Sequence, residues 1–237
     1  MADSALIIIA RAPERGRVKT RLAADIGLDA ALAVYHQLLG RVAMVAHRWP
    51  GRVAVCSTGD DRLWRDSALE PFERLPQPAT GLGGRVGAAL RLGLERARRT
   101  VIIGTDCPSL DMEAAAALVA LLDEAPVALG PAEDGGYWGV AVVEPAPIPL
   151  IADETLPWST PRLCERTRQA LADGGFTSVL GARLRDCDDA NDLRAAVQDG
   201  WLPPLPAMAA EPASPRCPQA ADAVARASRP GAEARPR

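Results

Sequence analysis

Between Arg11 and Arg21 the chain carries Arg11, Arg15, Arg17, Lys19 and Arg21, with Gly16 and Thr20 among them. Cations this dense repel one another unless water or an anion matches them. A polyphosphate is one such anion. Arg offers paired donors to its oxygens, Lys a compact charge, Gly16 a close backbone approach, and a helix start its orphan N–H groups. A basic loop solvated at the surface is the alternative. Gly16-Arg17-Val18-Lys19-Thr20 approaches a Walker A loop without matching it, because two residues separate the glycine from Lys-Thr.

A second kind of chemistry resides in the acids. Asp106 ends the apolar run Thr100–Thr105, and Pro108 two residues later stops any ladder and aims the loop outward. A carboxylate there suits Mg²⁺ or Mn²⁺, which take one or two protein carboxylates and complete their shell with phosphates and water; a helix-capping acid is the alternative. Arg183 to Leu193 holds Asp186, Asp188, Asp189 and Asp192. Capping accounts for Asp189 and Asp192, whereas alternation sends Asp186 and Asp188 to one side, where Asp188 can add a metal ligand.

Glycines mark two further places. Gln77, Gly81, Gly83 and Arg85 form an entry to a helix whose N–H groups can meet a phosphate or base, or make only a loop. Asp134, Gly135 and Gly136 read as a hairpin turn or as part of the same site. Trp158-Ser159-Thr160 reads as a helix cap with a packed indole or as the border of an acceptor pocket. His36 and His47 are the only histidines and lie along one helical stretch, so a His triad or a His-rich zinc site has no material.

The elements that must position these groups are readable from periodicity. Ala5–Ala10, Thr100–Thr105 and Val127–Gly130 are short apolar runs bounded by turn residues, the pattern of parallel strands covered on both faces. Helical spacing runs from about Ala30 to His47, Arg85 to Arg98, Met112 to Leu122 and Pro161 to Ala172, with Val53–Cys56 strand-like between the first two. Asp111 is placed to cap the helix after it, and Thr160 before Pro161 predicts a helix start. Tyr137–Val143, rich in β formers, predicts an antiparallel strand inserted into an otherwise parallel sheet. In such sheets ligands gather outside the carboxyl ends of the strands, where all these loops lie.

Bulk composition narrows the classes. With 237 residues, 48% of them hydrophobic, one domain can bury a full core, expected over 1–202. From 203 to 237 Pro, Ala, Arg and Ser without apolar periodicity predict a disordered tail. A net charge of -3 argues against a nucleic-acid or membrane partner. Five scattered cysteines without a C-x-x-C pair, and no signal or membrane-length apolar run, point to a soluble cytoplasmic protein. No G-x-G-x-x-G follows the first strand, against a dinucleotide-binding fold.

Taken in order, Arg11-Ala-Pro-x-x-Gly16-x-Val-Lys19-Thr20-Arg21-Leu22, Gly104-Thr-Asp106-Cys-Pro108-Ser-Leu110, Gly130-Pro-Ala-x-Asp134-Gly-Gly-Tyr137, Trp158-Ser-Thr160 and Asp186-x-Asp188-x-x-x-Asp192-Leu193 resemble one family. It is the bacterial glycosyltransferase-A-like group often labelled arsenosugar biosynthesis glycosyltransferase, similar to the molybdenum-cofactor and 2-phospholactate guanylyltransferases. The resemblance implies a nucleotide-diphosphosugar-transferase (GT-A-like) fold, a three-layer α/β/α sandwich with a mixed, mostly parallel sheet. It further implies a first loop that wraps the nucleotide and a metal held at Asp106. Gly81-Leu82-Gly83-Gly84-Arg85 holds a glycine where relatives commonly carry Glu, and Thr80-Gly81 stands where they often show Gly-Asp.

The expectation is a metal-dependent transferase acting on a nucleoside triphosphate or nucleotide sugar and a small-molecule acceptor. Lys19 and Asp106 are its expected catalytic groups, and Asp106 with Asp188 its metal ligands. Arg11, Gly16, Lys19, Thr20, Arg21, Gln77, Gly83, Arg85, Asp134, Gly135 and Gly136 are expected to bind the nucleotide. A non-catalytic nucleotide-binding or regulatory module is the alternative.

Overall fold

The first strand, β1 (Ser4–Arg11), lies between two parallel neighbours, β2 (Arg52–Thr58) and β4 (Arg99–Ile103), so that Ile7 faces Ala54 on one side and Ile102 on the other. The computed structural model describes residues 3–205. Residues Met1–Pro203 form one compact unit; the second, Pro204–Arg237, lies almost wholly outside the described residues, as does the tail expected to be disordered.

Seven strands make one sheet in the order β3-β2-β1-β4-β6-β5-β7, where β3 is Glu73–Pro76, β5 Val127–Pro131, β6 Tyr137–Val142 and β7 Ser178–Leu180. β6 runs antiparallel to both neighbours, pairing Val140 with Ile102 of β4 and with Leu129 of β5; the other pairings are parallel. The expected mixed, mostly parallel sheet is therefore present, with the inserted antiparallel strand at β6.

Alternation along β1 divides the core in two. Leu6, Ile8 and Ala10 pack with Tyr35, Leu39 and Val42 of α2 (Leu28–Arg48) and with Leu118 of α4 (Met112–Ala120). Ala5 and Ile7 pack on the other face with Val86 and Leu90 of α3 (Leu82–Leu94), Ile148 and Ile151 of α5 (Ile148–Ile151), and Cys164 and Leu171 of α6 (Leu163–Asp173). Each large aliphatic side chain so buried contributes about 1.5–3 kcal/mol, which is why both faces of these strands had to be apolar.

Boundaries differ from expectation where local chemistry intervenes. A short α1 (Thr20–Ile26) precedes α2, parted from it by Gly27 at φ 87°, a left-handed conformation that suits glycine. Thr160 does not begin α6 at Pro161. Its hydroxyl donates to Pro157 O at 2.8 Å and accepts from Arg162 N at 3.4 Å, closing a turn, and the helix begins at Leu163. Asp111 caps α4 through Ala114 N at 2.9 Å, and α7 (Ala190–Gln198) opens on a capping box of Asp189 and Asp192. Among the described residues no helix is long and apolar enough to cross a membrane.

Candidate active site

The carboxyl ends of β1, β2 and β4 open on a cleft of about 230 Å³ lined by Arg11, Arg17, Lys19, Gln77, Arg85 and Asp106, among others. A neighbouring cleft of about 210 Å³ shares Lys19 and Asp106 and adds Thr20, Arg21 and Asp188. Side chains that are distant in sequence meet because three parallel strands end at one edge and β4 delivers Asp106 beside the loop that follows β1.

Lys19 is the hub. Its backbone sits in the left-handed region (φ 46°, ψ 46°), a conformation that costs a non-glycine residue free energy and persists only where its surroundings impose it. The side chain is 5% exposed, and its ammonium bonds Asp106 Oδ1 and, at 3.1 Å, Asp188 Oδ1. Arg21 reaches the other Asp188 oxygen at 3.3 Å. Burial works to lower the Lys19 pKa, but the two carboxylates more than offset it and hold the ammonium above the ordinary lysine value.

The remaining cations of the loop divide. Arg15 turns away into a paired bond with Asp29 at 2.6 and 3.0 Å on the surface. Arg11 and Arg85 donate to the backbone carbonyls of Arg17 (3.0 Å) and Gly81 (3.2 Å), so neither charge is neutralised by a carboxylate among the described residues. Gly16 makes the bend of the loop at φ 77°. Its own position is outside both clefts' linings.

Tyr35, which sequence reading passed over as one more helical residue, is the anchor of this loop. From α2 its hydroxyl donates to Arg11 O at 2.7 Å and accepts from Arg11 N at 3.3 Å, and its ring borders the cleft. The only sequence signal was a polar tip on the apolar face of a helix. Gln77 is tied in the same manner, its amide donating to Cys56 O at 2.6 Å and Ala10 O at 3.2 Å across the ends of β2 and β1.

Asp186 and Asp188 part company. Asp188 goes to Lys19, while Asp186 accepts from Cys107 Sγ at 3.2 Å. Burial pushes the Asp186 carboxyl up to about 6, and the nearby Asp134 and Asp106 charges add to the rise.

The glycines of the two segments pack closely against neighbouring elements. A Cβ on Gly83 would come within 2.6 Å of Ala152 O and 3.0 Å of the Trp158 indole nitrogen, and Gly81 and Gly84 leave room for Glu154. Glu154 Oε1 accepts from Gly84 N at 2.8 Å, so this donor of the α3 entry is already satisfied. Asp134 Oδ1 takes the Gly136 N–H at 2.7 Å inside the β5–β6 turn, and Gly135, at φ 88°, abuts the Pro161 backbone. Gly83, Asp134, Gly135 and Gly136 line neither cleft.

Asp106 and Asp188 are hard oxygen donors already converging on one cation, the Lys19 ammonium, so the pair fits a divalent ion. Among the described residues no group of three or more His, Cys, Asp or Glu is arranged to hold a metal, so phosphate and water oxygens would have to complete its shell.

The model of a family described as uncharacterized proteins conserved in bacteria (DUF2064) matches residues 41–160, half of the chain. The chain belongs to the DUF2064 family. The matched span of this DUF2064 member includes Gln77, Arg85 and Asp106 and stops short of both the Arg11–Arg21 loop and Asp188. The family description carries no arsenosugar chemistry. No curated protein matches the sequence.

Among solved structures, a provisionally named nucleotide-diphospho-sugar transferase of Desulfovibrio desulfuricans G20 superposes with a TM-score of 0.75 at 22% identity, over 84% of this chain and 88% of that one. A CMP:2-keto-3-deoxy-manno-octonic acid synthetase in complex with CTP gives 0.53 at 14% identity, over 84% and 100%. The 4-diphosphocytidyl-2C-methyl-D-erythritol synthase of Anaerococcus prevotii DSM 20548 gives 0.51 at 10%, over 83% and 98%. At such identities the likeness is one of fold: the α/β fold of the nucleotide-diphospho-sugar transferases.

Proposed function

We propose that the protein is a metal-dependent transferase that takes a nucleoside triphosphate or a nucleotide sugar and passes a nucleotidyl or glycosyl group to a small-molecule acceptor. The observation that carries this reading is the convergence of Lys19, Asp106 and Asp188 beside a cleft walled by the unneutralised guanidinium groups of Arg11 and Arg85. Polyphosphate is the ligand whose charge that wall matches. The fold neighbours named for nucleotide-sugar transfer and for cytidylyl chemistry agree with it.

Arg11, Arg85 and Lys19 hold phosphate oxygens, Tyr35 fixes the backbone of Arg11, and Gln77 ties the ends of β1 and β2 beside them. Asp106 and Asp188 would hold Mg²⁺ or Mn²⁺, which supplies charge neutralisation on the phosphates. In nucleotidyl transfer an acceptor oxygen forms a bond to the α-phosphorus, the bond to the bridging oxygen breaks, and diphosphate departs with the electron pair. In glycosyl transfer the acceptor bonds the anomeric carbon and a nucleoside diphosphate leaves. In both cases the cationic wall stabilises the leaving group as its charge develops. The four described cysteines are free and buried, which suits work in a reducing cytoplasm.

The test is product analysis by mass spectrometry over a panel of nucleotides, nucleotide sugars and acceptors with Mg²⁺ or Mn²⁺. Diphosphate release identifies nucleotidyl transfer and nucleoside diphosphate release identifies glycosyl transfer. Saturable nucleotide binding with no product under any metal would sink the enzymatic reading and leave a binding module.

A further inference from the structure

Charge is balanced at the carboxylate pair before any ligand arrives. Asp106 and Asp188 bring two negative charges, and Lys19 and Arg21 bring two positive ones within ion-pair distance. The Lys19 ammonium touches both carboxylates, which is the position a shared divalent ion would claim, and its side chain is all but buried there. Lys19 also lies on the wall common to the two clefts, so the same ammonium borders the space walled by Arg11 and Arg85.

We infer that Lys19 is a resident counter-cation for the Asp106–Asp188 pair, and that a divalent ion enters the pair only together with a polyphosphate, which gives the displaced ammonium a new anionic partner. This inference rests on the transferase reading above. Three observations carry it. A divalent ion added alone would meet an ammonium and a guanidinium already on its two ligands, a like-charge encounter at short range. A two-carboxylate site is too poor in ligands to hold Mg²⁺ or Mn²⁺ firmly without phosphate oxygens. Lys19 lines both clefts, so its ammonium can pass from the carboxylates to an anion in the space walled by Arg11 and Arg85.

The consequence is ordered binding. Metal alone and nucleotide alone each bind poorly, because the first leaves the ammonium stranded and the second leaves the carboxylates facing phosphate; together they exchange partners without leaving a charge unmatched.

The experiment measures Mn²⁺ binding to the full chain by electron paramagnetic resonance, with Mn²⁺ alone and with Mn²⁺ plus inorganic diphosphate or a nucleoside triphosphate. The wild-type protein is expected to bind Mn²⁺ about tenfold or more tightly when the polyphosphate is present, after correction for the Mn²⁺ that the polyphosphate binds in solution. Lys19→Met is expected to bind Mn²⁺ alone about tenfold more tightly than wild type, and adding Asp188→Asn to that variant to erase the gain. Equal Mn²⁺ affinity in wild type with and without polyphosphate overturns the inference, as does a folded Lys19→Met protein with no gain. Should Lys19→Met fail to fold by circular dichroism, the wild-type comparison decides by itself. A wild-type chain that binds neither diphosphate nor any nucleotide in the presence of Mn²⁺ overturns the transferase reading and this inference with it. A chain that binds them while Lys19→Met gains no Mn²⁺ affinity overturns this inference alone.

Discussion

Two regions of this molecule carry the kind of residues that meet phosphates, and only one leaves them available. Around Lys19, the loop after β1 and the acid after β4 bring charges to an open cleft, where Arg11 and Arg85 retain unmatched charge. Around the α3 entry and the β5–β6 turn, the comparable donors are already met from within, Gly84 N–H by Glu154 and Gly136 N–H by Asp134. At a glycine-rich helix start an internal carboxylate and an external anion compete for the same N–H groups, and here Glu154 already holds the Gly84 N–H.

The comparison breaks most visibly at Asp106. Asp106→Asn is expected to lower divalent-dependent turnover by about 100-fold or more in a protein that still folds, with a smaller loss of stability because the buried Lys19 ammonium keeps only Asp188. Turnover within a few-fold of wild type would remove this acid from the chemistry.

In the second region the expected loss is of stability instead. Gly135→Ala places a Cβ against the Pro161 backbone at a positive φ, and should cost about 2 kcal/mol or more in denaturant unfolding, with nucleotide affinity of the folded protein unchanged. A fall in affinity without loss of stability would turn the β5–β6 turn back into a ligand site.

Glu154→Ala sharpens the contrast with a smaller effect. Losing the acceptor for Gly84 N–H should cost about 1 kcal/mol of stability. Because Glu154 lines neither cleft, nucleotide affinity should move by less than about threefold, roughly 0.7 kcal/mol. A larger shift in nucleotide binding would show that the vacated helix start receives a phosphate.

The smallest effect lies outside both regions. Glu73 is paired with Arg96 at 2.5 and 3.0 Å, and Arg96 holds its carboxyl below the ordinary glutamate value. A carboxyl whose folded pKa is lowered contributes stability above its unfolded pKa and loses that contribution as pH falls through the folded value. Glu73→Gln should therefore flatten the acid limb of stability against pH and leave nucleotide binding at neutral pH untouched. An acid limb as steep as in wild type would show that the pair contributes nothing to it.

Legibility in the sequence followed burial. β1, β4, β5 and β6 were readable because both faces had to be apolar, whereas the edge strands Glu73–Pro76 and Ser178–Leu180 are short, half-exposed and paired on one side only, and left no pattern. Asp111, Asp189 and Asp192 were readable as caps because capping is a local bond. Tyr35 was not, since its partner Arg11 lies 24 residues away.

By itself, then, the sequence determined the inner strands, their order of appearance, and which loops would carry charge at strand ends, because each follows from the spacing of neighbouring residues. Which charge meets which was decided by the tertiary structure alone. Lys19 finds Asp106 and Asp188 across 87 and 169 residues, Arg15 is diverted to Asp29, and Asp186 is drawn to Cys107 while Asp188 is not. Ion pairs depend on distance in space, and the sheet's crossovers set those distances without leaving a trace in local composition.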